Sequence, residues 1–171
     1  MLRSKVQMIY LEPTPYIVAL VAACKNRWDG EIDVIYISQN LSHRWDLDTG
    51  DARLISGLGA HTLPAFLQLI FSGANGKILH LAGWGQIFLA ITIVMAKLIG
   101  IPTFVESDSS KSQARSIFRK FVKGTIYPVL LKLPTLFFPG GSRQAKYLST
   151  LGVAKHKMTI AQMTVDVAEI K

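Results

Sequence analysis

The sequence has little of several residue types on which common kinds of protein chemistry depend. Its 171 residues include one cysteine, so a disulfide within the chain and a metal site built from several cysteines are both excluded. Only 18% of the residues are charged and 50% are apolar, which argues against disorder and provides enough apolar side chains for one core. A reducing, cytoplasmic location is the plain expectation, with Cys24 as a buried helix residue.

The sequence motifs of several enzyme classes are also missing. The chain has no G-x-x-x-x-G-K-[ST] phosphate loop, no G-x-S-x-G nucleophile turn and no H-E-x-x-H metal motif. The glycine-rich dinucleotide loop is absent after the first predicted strand. Asp46–Asp51 resembles a carboxylate metal loop, but Gly57 stands where an EF-hand needs a glutamate. A surface turn is therefore the better interpretation, and no metal site is predicted.

The charge of the chain is one-sided, with a formal net value of +8. Such a balance favours anionic partners, which include phosphate groups, nucleic acid and acidic membrane surfaces. No recognised motif or aromatic strand face supports nucleic acid, so we expect none as a partner. No apolar run reaches the roughly 20 residues of a membrane span, since the longest one stops at Lys97.

Most of the positive charge follows Asp108, in a segment without acidic side chains. Apolar residues fall at helical spacing between the basic ones, which predicts a basic amphipathic helix. This helix is either an ordinary solvated face or a surface that adsorbs to anionic lipid on the inner side of the membrane. The residues assigned to the membrane surface are Lys111, Arg115, Phe118, Arg119, Lys120 and Lys123.

Short apolar runs alternate with helical patterns along the chain. Strands are predicted at 6–11, 32–37, 78–81, 103–105 and 136–138, with a last short one at 157–160 and a weak one at 52–55. Helices are predicted at 16–25, 63–71, 87–98 and 143–151, the last with Ser142 as its N-cap. This alternation predicts an α/β fold in one domain, with a doubly wound, mostly parallel sheet and helices on both faces.

The clearest unit of this pattern is Lys77–Asp108, which reads as strand, glycine turn, apolar helix and second strand. Ligands bind beyond the carboxyl ends of strands in such sheets, so His80, Trp84 and the acidic pair Glu106 and Asp108 are expected to share one rim. Each also has a purely structural interpretation. The histidine would be a core residue, Trp84 would pack beside its turn, and residues 106–108 would cap a helix.

Three stretches of the chain, considered together, resemble the amino-terminal half of family-4-type retaining glycosyltransferases. They are IPTFVESDS, FFPGGSRQAKYLSTLGV and IAQMTVDV. The resemblance implies a GT-B enzyme with two Rossmann-like domains, of which this half holds a sugar or lipid-linked acceptor. The nucleotide-sugar donor would be a substrate of the intact enzyme, and no cofactor is implied.

The donor-binding half is expected to be missing, because the chain ends near Val165-Asp166, where the second domain of the family begins. A separate donor-binding domain or subunit is therefore expected as a partner. Glu12–Pro15 replaces the glycine-rich first loop of many members of the family. A non-catalytic Rossmann-like binding module is the alternative. The residues expected to line the acceptor cleft are Pro13, Thr14, His80, Gly83, Trp84, Glu106, Ser107, Asp108, Gly140 and Gly141.

Overall fold

The computed structural model describes residues 5–39, 47–55, 59, 61–73, 76–108 and 122–161. Its strands are β1 Lys5–Tyr10, β2 Glu31–Tyr36, β3 Arg53–Leu54, β4 Lys77–Leu81, β5 Thr103–Ser107 and β6 Leu136–Pro139. Its helices are α1 Pro15–Arg27, α2 Leu63–Phe71, α3 Ile87–Leu98, α4 Tyr127–Leu130 and α5 Ser142–Thr150. A π-helical turn, Val122–Ile126, leads into α4, and a 3-10 turn, Lys155–Lys157, follows α5.

The six strands form one sheet in the order β3-β2-β1-β4-β5-β6. The pairs β1–β2, β1–β4, β2–β3 and β5–β6 are all parallel. Parallel strands need a crossover between them, and helices supply it here after most strands. The predicted α/β, Rossmann-like fold is confirmed.

Contacts within the chain divide it into two compact units, of which the first includes the described residues through Ala82 and the second those from Gly83. The prediction of a single domain stays a prediction. No helix among the described segments is both long and apolar enough to cross a membrane.

The core of the first unit lies between α1 and the strands β1 and β2. Met8 and Tyr10 of β1 stand in register with Val34 and Tyr36 of β2, and all four are buried. Alternate residues of a strand point to the same face, so these side chains form one apolar surface under α1. Cys24 packs at the margin of this core and is partly rather than fully buried.

Polar side chains inside the first unit are held in specific pairs. Gln7 is fully buried, and its Nε2 donates a hydrogen bond to Asp33 Oδ2 over 2.7 Å. The same carboxylate oxygen pairs with the guanidinium of Arg53 on the neighbouring edge strand. Lys77 is also buried, and its ammonium group donates to the carbonyl of Ile70 near the end of α2. These bonds offset part of the cost of burial, although the Gln7 Oε1 atom has no partner among the described residues.

The core of the second unit packs α3 and α5 against β5 and β6. Leu89, Ile93, Val105, Phe137 and Leu148 are all completely buried. β6 contributes Phe137 to this core, whereas on β5 the buried Val105 lies between two buried polar residues, Thr103 and Ser107.

The last predicted strand, 157–160, is only partly confirmed. Lys155–Lys157 forms a 3-10 turn, and Met158 makes an isolated parallel bridge to Phe137. The amides of Thr159 and Ala161 donate to carbonyls of β6 over 2.9 and 3.0 Å. This segment therefore follows the outer edge of β6 without forming a regular strand.

Two boundaries at the carboxyl edge differ from the prediction. β5 extends through Ser107, because Glu106 and Ser107 pair with Phe138 and Pro139 of β6. These two residues are thus part of the strand rather than of the loop beyond it. Ser142 is already the first residue of α5, and Gly141 takes the N-cap position with an extended backbone. The prediction of Ser142 as the N-cap was wrong.

Candidate ligand site

In the first unit, three ring-bearing side chains cluster near the carboxyl ends of β1, β2 and β4. The ring centroid of Tyr10 lies 6.3 Å from that of Tyr36 and 5.9 Å from that of His80, which it meets edge to face. Tyr10 and Tyr36 were not among the predicted site residues. The signal that could have found them is the repeated Ile-Tyr pair that closes both apolar strands.

His80 is buried, with 8% of its surface exposed. Burial lowers the pKa of its imidazole to about 4, because an apolar environment disfavours the charged form. The ring is therefore neutral near pH 7. Burial likewise raises the pKa of the Tyr36 phenol. The structural interpretation of His80 as a core residue matches this placement, and a role in ligand binding stays a prediction.

Pro13 and Thr14 occupy the turn between β1 and α1, where Pro13 is buried. Thr14 is the N-cap residue of α1 and has an extended backbone, but its hydroxyl makes no capping hydrogen bond. The Thr14 Oγ1 atom is buried and has no partner among the described residues. This turn therefore presents an unused hydroxyl and uncapped amides at the start of a helix, which is a favourable position for an anionic or hydroxyl-rich group.

In the second unit, Gly83 shapes the turn between β4 and α3. Its φ of 125° is a conformation that residues with side chains rarely adopt. A β-carbon at this position would come to 3.9 Å from the carbonyl oxygen of Glu106, so the turn runs beside the end of β5. The fold thus brings two predicted site residues, Gly83 and Glu106, close to each other.

Trp84 follows in this turn and is a packing residue. Only 4% of its surface is exposed. Its ring meets Tyr127 and Phe137 edge to face, with centroid distances of 6.3 and 6.4 Å. The position of Trp84 therefore matches the interpretation that it packs beside its turn. Its ring has no exposed face on which a ligand could stack. Ligand binding by Trp84 stays a prediction.

The most distinctive polar feature of the second unit is Ser107, the last residue of β5. It is 2% exposed, and its hydroxyl has no hydrogen-bond partner among the described residues. A buried polar atom without a partner costs free energy, so each such atom requires an explanation, and a bound water or ligand group is one. Val105 and Ser107 share a face of β5, and Val105 stands in register with Phe137, which Trp84 contacts. The hydroxyl thus lies on the face that Trp84 covers.

The loop after β6 passes directly beside Ser107. The amide of Gly140 donates to the Ser107 carbonyl over 3.0 Å, and Gly141 then begins α5. No side chain caps this end of α5, and its first turn contains no acidic residue. We call Ser107, Gly140, Gly141 and the first turn of α5 the Ser107 corner. Free helix amides and a buried hydroxyl suit a phosphate or a sugar hydroxyl group.

The acidic pair stands apart from this apolar packing. Glu106 is partly buried within β5, whereas Asp108 is exposed just beyond it. Among the described residues, no group of His, Cys, Asp or Glu side chains is arranged to hold a metal ion.

The predicted cleft residues thus fall in two groups. Pro13, Thr14 and His80 belong to the first unit, and the other seven belong to the second. Of the predicted membrane-surface residues, Lys123 lies in the π-helical turn. The other five, Lys111, Arg115, Phe118, Arg119 and Lys120, lie outside the described residues.

Comparison with known proteins gives a likeness of fold. No family model matches the sequence, and no curated protein does. Among solved structures, the UDP-N-acetylglucosamine 2-epimerase from Rickettsia bellii has a TM-score of 0.66 and 11% identity, over 94% of this chain and 45% of that protein. S. aureus MnaA with UDP has a TM-score of 0.64 and 11% identity, over 92% and 44%.

A third similar structure is the UDP-GlcNAc 2-epimerase from Neisseria meningitidis bound to UDP-GlcNAc, with a TM-score of 0.62 and 8% identity, over 91% of this chain and 45% of that protein. The chain therefore spans less than half the length of these proteins. Its Rossmann-like, GT-B-like fold is shared with these structures.

Proposed function

We propose that the chain is the acceptor-binding half of a glycosyltransferase, which transfers a sugar from a nucleotide-sugar donor to a polysaccharide or lipid-linked acceptor. The observation that carries this proposal is the Ser107 corner: Ser107 has a buried hydroxyl without a partner among the described residues, and its carbonyl accepts a hydrogen bond from Gly140, which directly precedes the uncapped end of α5. A fold shared with enzymes of nucleotide sugars supports a sugar-bearing ligand at this position. Ligand binding beyond the carboxyl ends of parallel strands supports it further.

In the proposed complex, the corner holds a polar group of the acceptor. The amides of the first turn of α5 donate to its oxygens, and the Ser107 hydroxyl supplies one further hydrogen bond. Arg143 is exposed in the same turn and adds positive charge for a phosphate of a lipid-linked acceptor. Pro13, Thr14 and His80 remain proposed cleft residues from the first unit, as do Gly83, Trp84, Glu106 and Asp108 from the second.

Fluorescence of Trp84 tests this proposal, with Trp28 and Trp45 changed to Phe. The Trp84 ring packs on Phe137, whose register partner is two residues from Ser107. Titration with sugar phosphates and lipid-linked sugar acceptors is expected to change the emission in a saturable way. In Ser107→Ala the affinity is expected to fall about tenfold, since one hydrogen bond to a charged group is lost.

Ser149→Ala is the matched control, because that serine is exposed in α5 and bonds to Ala145 of its own helix. It is expected to bind like the wild type. Equal affinities for wild type and Ser107→Ala would refute a role for the corner, and no response to any sugar acceptor would refute the function.

The proposed location is the cytoplasmic face of a membrane, where the chain is peripheral. The basis is the basic segment of the sequence, whose side chains are suited to anionic headgroups. Flotation with vesicles that contain phosphatidylglycerol compares the wild type with a variant in which Arg115, Arg119, Lys120 and Lys123 are changed to Glu. Equal flotation of both proteins would contradict this proposal.

The second candidate function is a non-catalytic Rossmann-like binding module. It is favoured by the burial of His80 and Trp84, which both occupy packing positions. The two candidate functions predict different results when a donor-binding half is added. A glycosyltransferase half is expected to give sugar transfer when a donor-binding half is supplied, whereas a module would bind its ligand without any transfer.

A further inference from the structure

We propose that the outer face of α3 is a lipid-docking surface, which lies in the interfacial layer of an anionic membrane. The location proposed above depends on charge in the segment 111–123. This inference adds an apolar contact formed by other residues, and it is independent of which sugar the protein binds.

The outer face of α3 is apolar although it faces solvent. Ile87 is 65% exposed and Leu98 is 75% exposed, and Val94 between them is 40% exposed. At 100° per residue, positions 87, 91, 94 and 98 fall on one side of the helix and form a stripe along its length. The opposite side, which includes Leu89 and Ile93, is fully buried in the core. A helix that is apolar all round normally has both sides covered.

The apolar surface continues on the helix that packs beside α3. α4 contacts α3, and its Val129 is 64% exposed; Ile126, in the π-helical turn that leads into α4, is 48% exposed. Exposed apolar side chains on two helices that contact each other mark a candidate interaction site.

The charges around this surface identify its occupant as anionic lipid. Lys97 is the only charged residue of α3, and it is exposed beside the stripe. Between Asp108 and Asp166 the sequence contains no acidic residue. Its basic residues there are Lys111, Arg115, Arg119, Lys120, Lys123, Lys132, Arg143, Lys146, Lys155 and Lys157. An apolar helix face with an exposed lysine beside it, followed in the sequence by a basic stretch without acidic residues, is the pattern of helices that lie in the surface of acidic bilayers.

The length of α3 determines how it meets the membrane. Its 12 residues extend over about 18 Å, whereas the hydrocarbon layer is roughly 30 Å thick. The helix therefore lies parallel to the surface, with Ile87, Val94 and Leu98 below the headgroups and Lys97 directed toward the phosphates.

The test uses the double variant Ile87→Gln with Leu98→Gln, which changes two exposed side chains and leaves the core intact. Wild-type protein is expected to float with vesicles of phosphatidylcholine and phosphatidylglycerol, and less with phosphatidylcholine alone. The variant is expected to lose about tenfold or more in partitioning to the mixed vesicles. Leu20→Gln with Leu54→Gln is the matched control, because both residues are exposed leucines of the first unit.

A local probe separates this inference from the charge-based location. An environment-sensitive dye on Leu98→Cys, with Cys24 changed to Ser, is expected to shift to the blue with mixed vesicles, and the same dye on Leu20→Cys is not. If the double variant floats like the wild type and the dye on position 98 does not shift, the inference is wrong, even where the charge-reversal variant no longer floats. A wild-type dimer in lipid-free solution that the double variant converts to monomer would also overturn it, because the stripe would then be a protein interface.

Discussion

Ser107 is the residue at which stability and the proposed binding oppose each other. Its buried hydroxyl has no partner among the described residues, so the folded protein bears the desolvation cost without a compensating bond. We expect Ser107→Ala to raise the free energy of unfolding by about 1 kcal/mol while weakening ligand binding. Urea denaturation measures the first effect. A variant that is clearly less stable than the wild type would show that the hydroxyl is bonded in the free protein.

His80 gives the protein a specific sensitivity to acid. The pKa of its imidazole is about 4 in the folded state, compared with 6.5 for an unperturbed histidine. Between these pH values the unfolded chain binds the proton and the folded one does not, so stability is lost as the pH falls from 6.5 to 4. The loss from this group amounts to about 3 kcal/mol.

Substitution of the histidine isolates its share of this pH dependence. His80→Gln is expected to flatten the fall of the unfolding free energy between pH 6.5 and 4, because the titrating group is removed. His156→Gln is the matched control, because it makes the same substitution at an exposed histidine. Urea denaturation at a series of pH values measures both. Identical slopes in His80→Gln and wild type would contradict the low pKa.

At the scale of elements, the turn from β4 to α3 depends on one glycine. Gly83 has a φ of 125°, and its position is spacious, so backbone strain rather than crowding decides the effect of a side chain. Gly83→Ala is expected to cost about 1–3 kcal/mol of stability. Gly85→Ala, two residues later at an open position without a positive φ, is expected to be nearly neutral. Thermal unfolding of both variants measures the difference, and equal melting temperatures would contradict this account of the turn.

The sequence predicted α2 and α3 with the bounds that the structure has, because their apolar residues are followed by Gly73 and Gly100, both with positive φ. It did not predict the end of β5. Glu106 and Ser107 are polar, and they extend the strand because β6 pairs with them. Local composition is therefore enough to predict where α2 and α3 end. The end of β5 cannot be predicted in this way, because it depends on pairing with β6, which is distant in the sequence.

Prediction of the candidate site from the sequence was limited in the same way. The sequence identified the loops at the ends of the strands, since glycines and polar residues cluster there. It did not show that Trp84 would be buried, because that depends on Phe137 and Tyr127 from later segments. It included Ser107 among the cleft residues, but only the structure shows that its hydroxyl has no partner among the described residues.

At the scale of the whole molecule, the chain spans less than half the length of the similar solved structures. If it is one half of a two-part enzyme, the isolated chain is expected to release no nucleoside diphosphate from nucleotide sugars with any acceptor. Addition of a donor-binding half is expected to restore sugar transfer. Transfer is measured as the release of nucleoside diphosphate from the nucleotide sugar. Turnover by the chain alone would contradict the proposed division of labour.

The two margins of the sheet have a consequence for how this protein can meet other chains. β3 has only two residues, and the segment 158–161 uses two carbonyls of β6. Few main-chain groups thus remain along the β6 margin to template the strand of another molecule, whereas β3 covers only the last two residues of β2. We therefore expect partners at the β6 margin to attach through side chains, and any strand that extends the sheet to add beside β2.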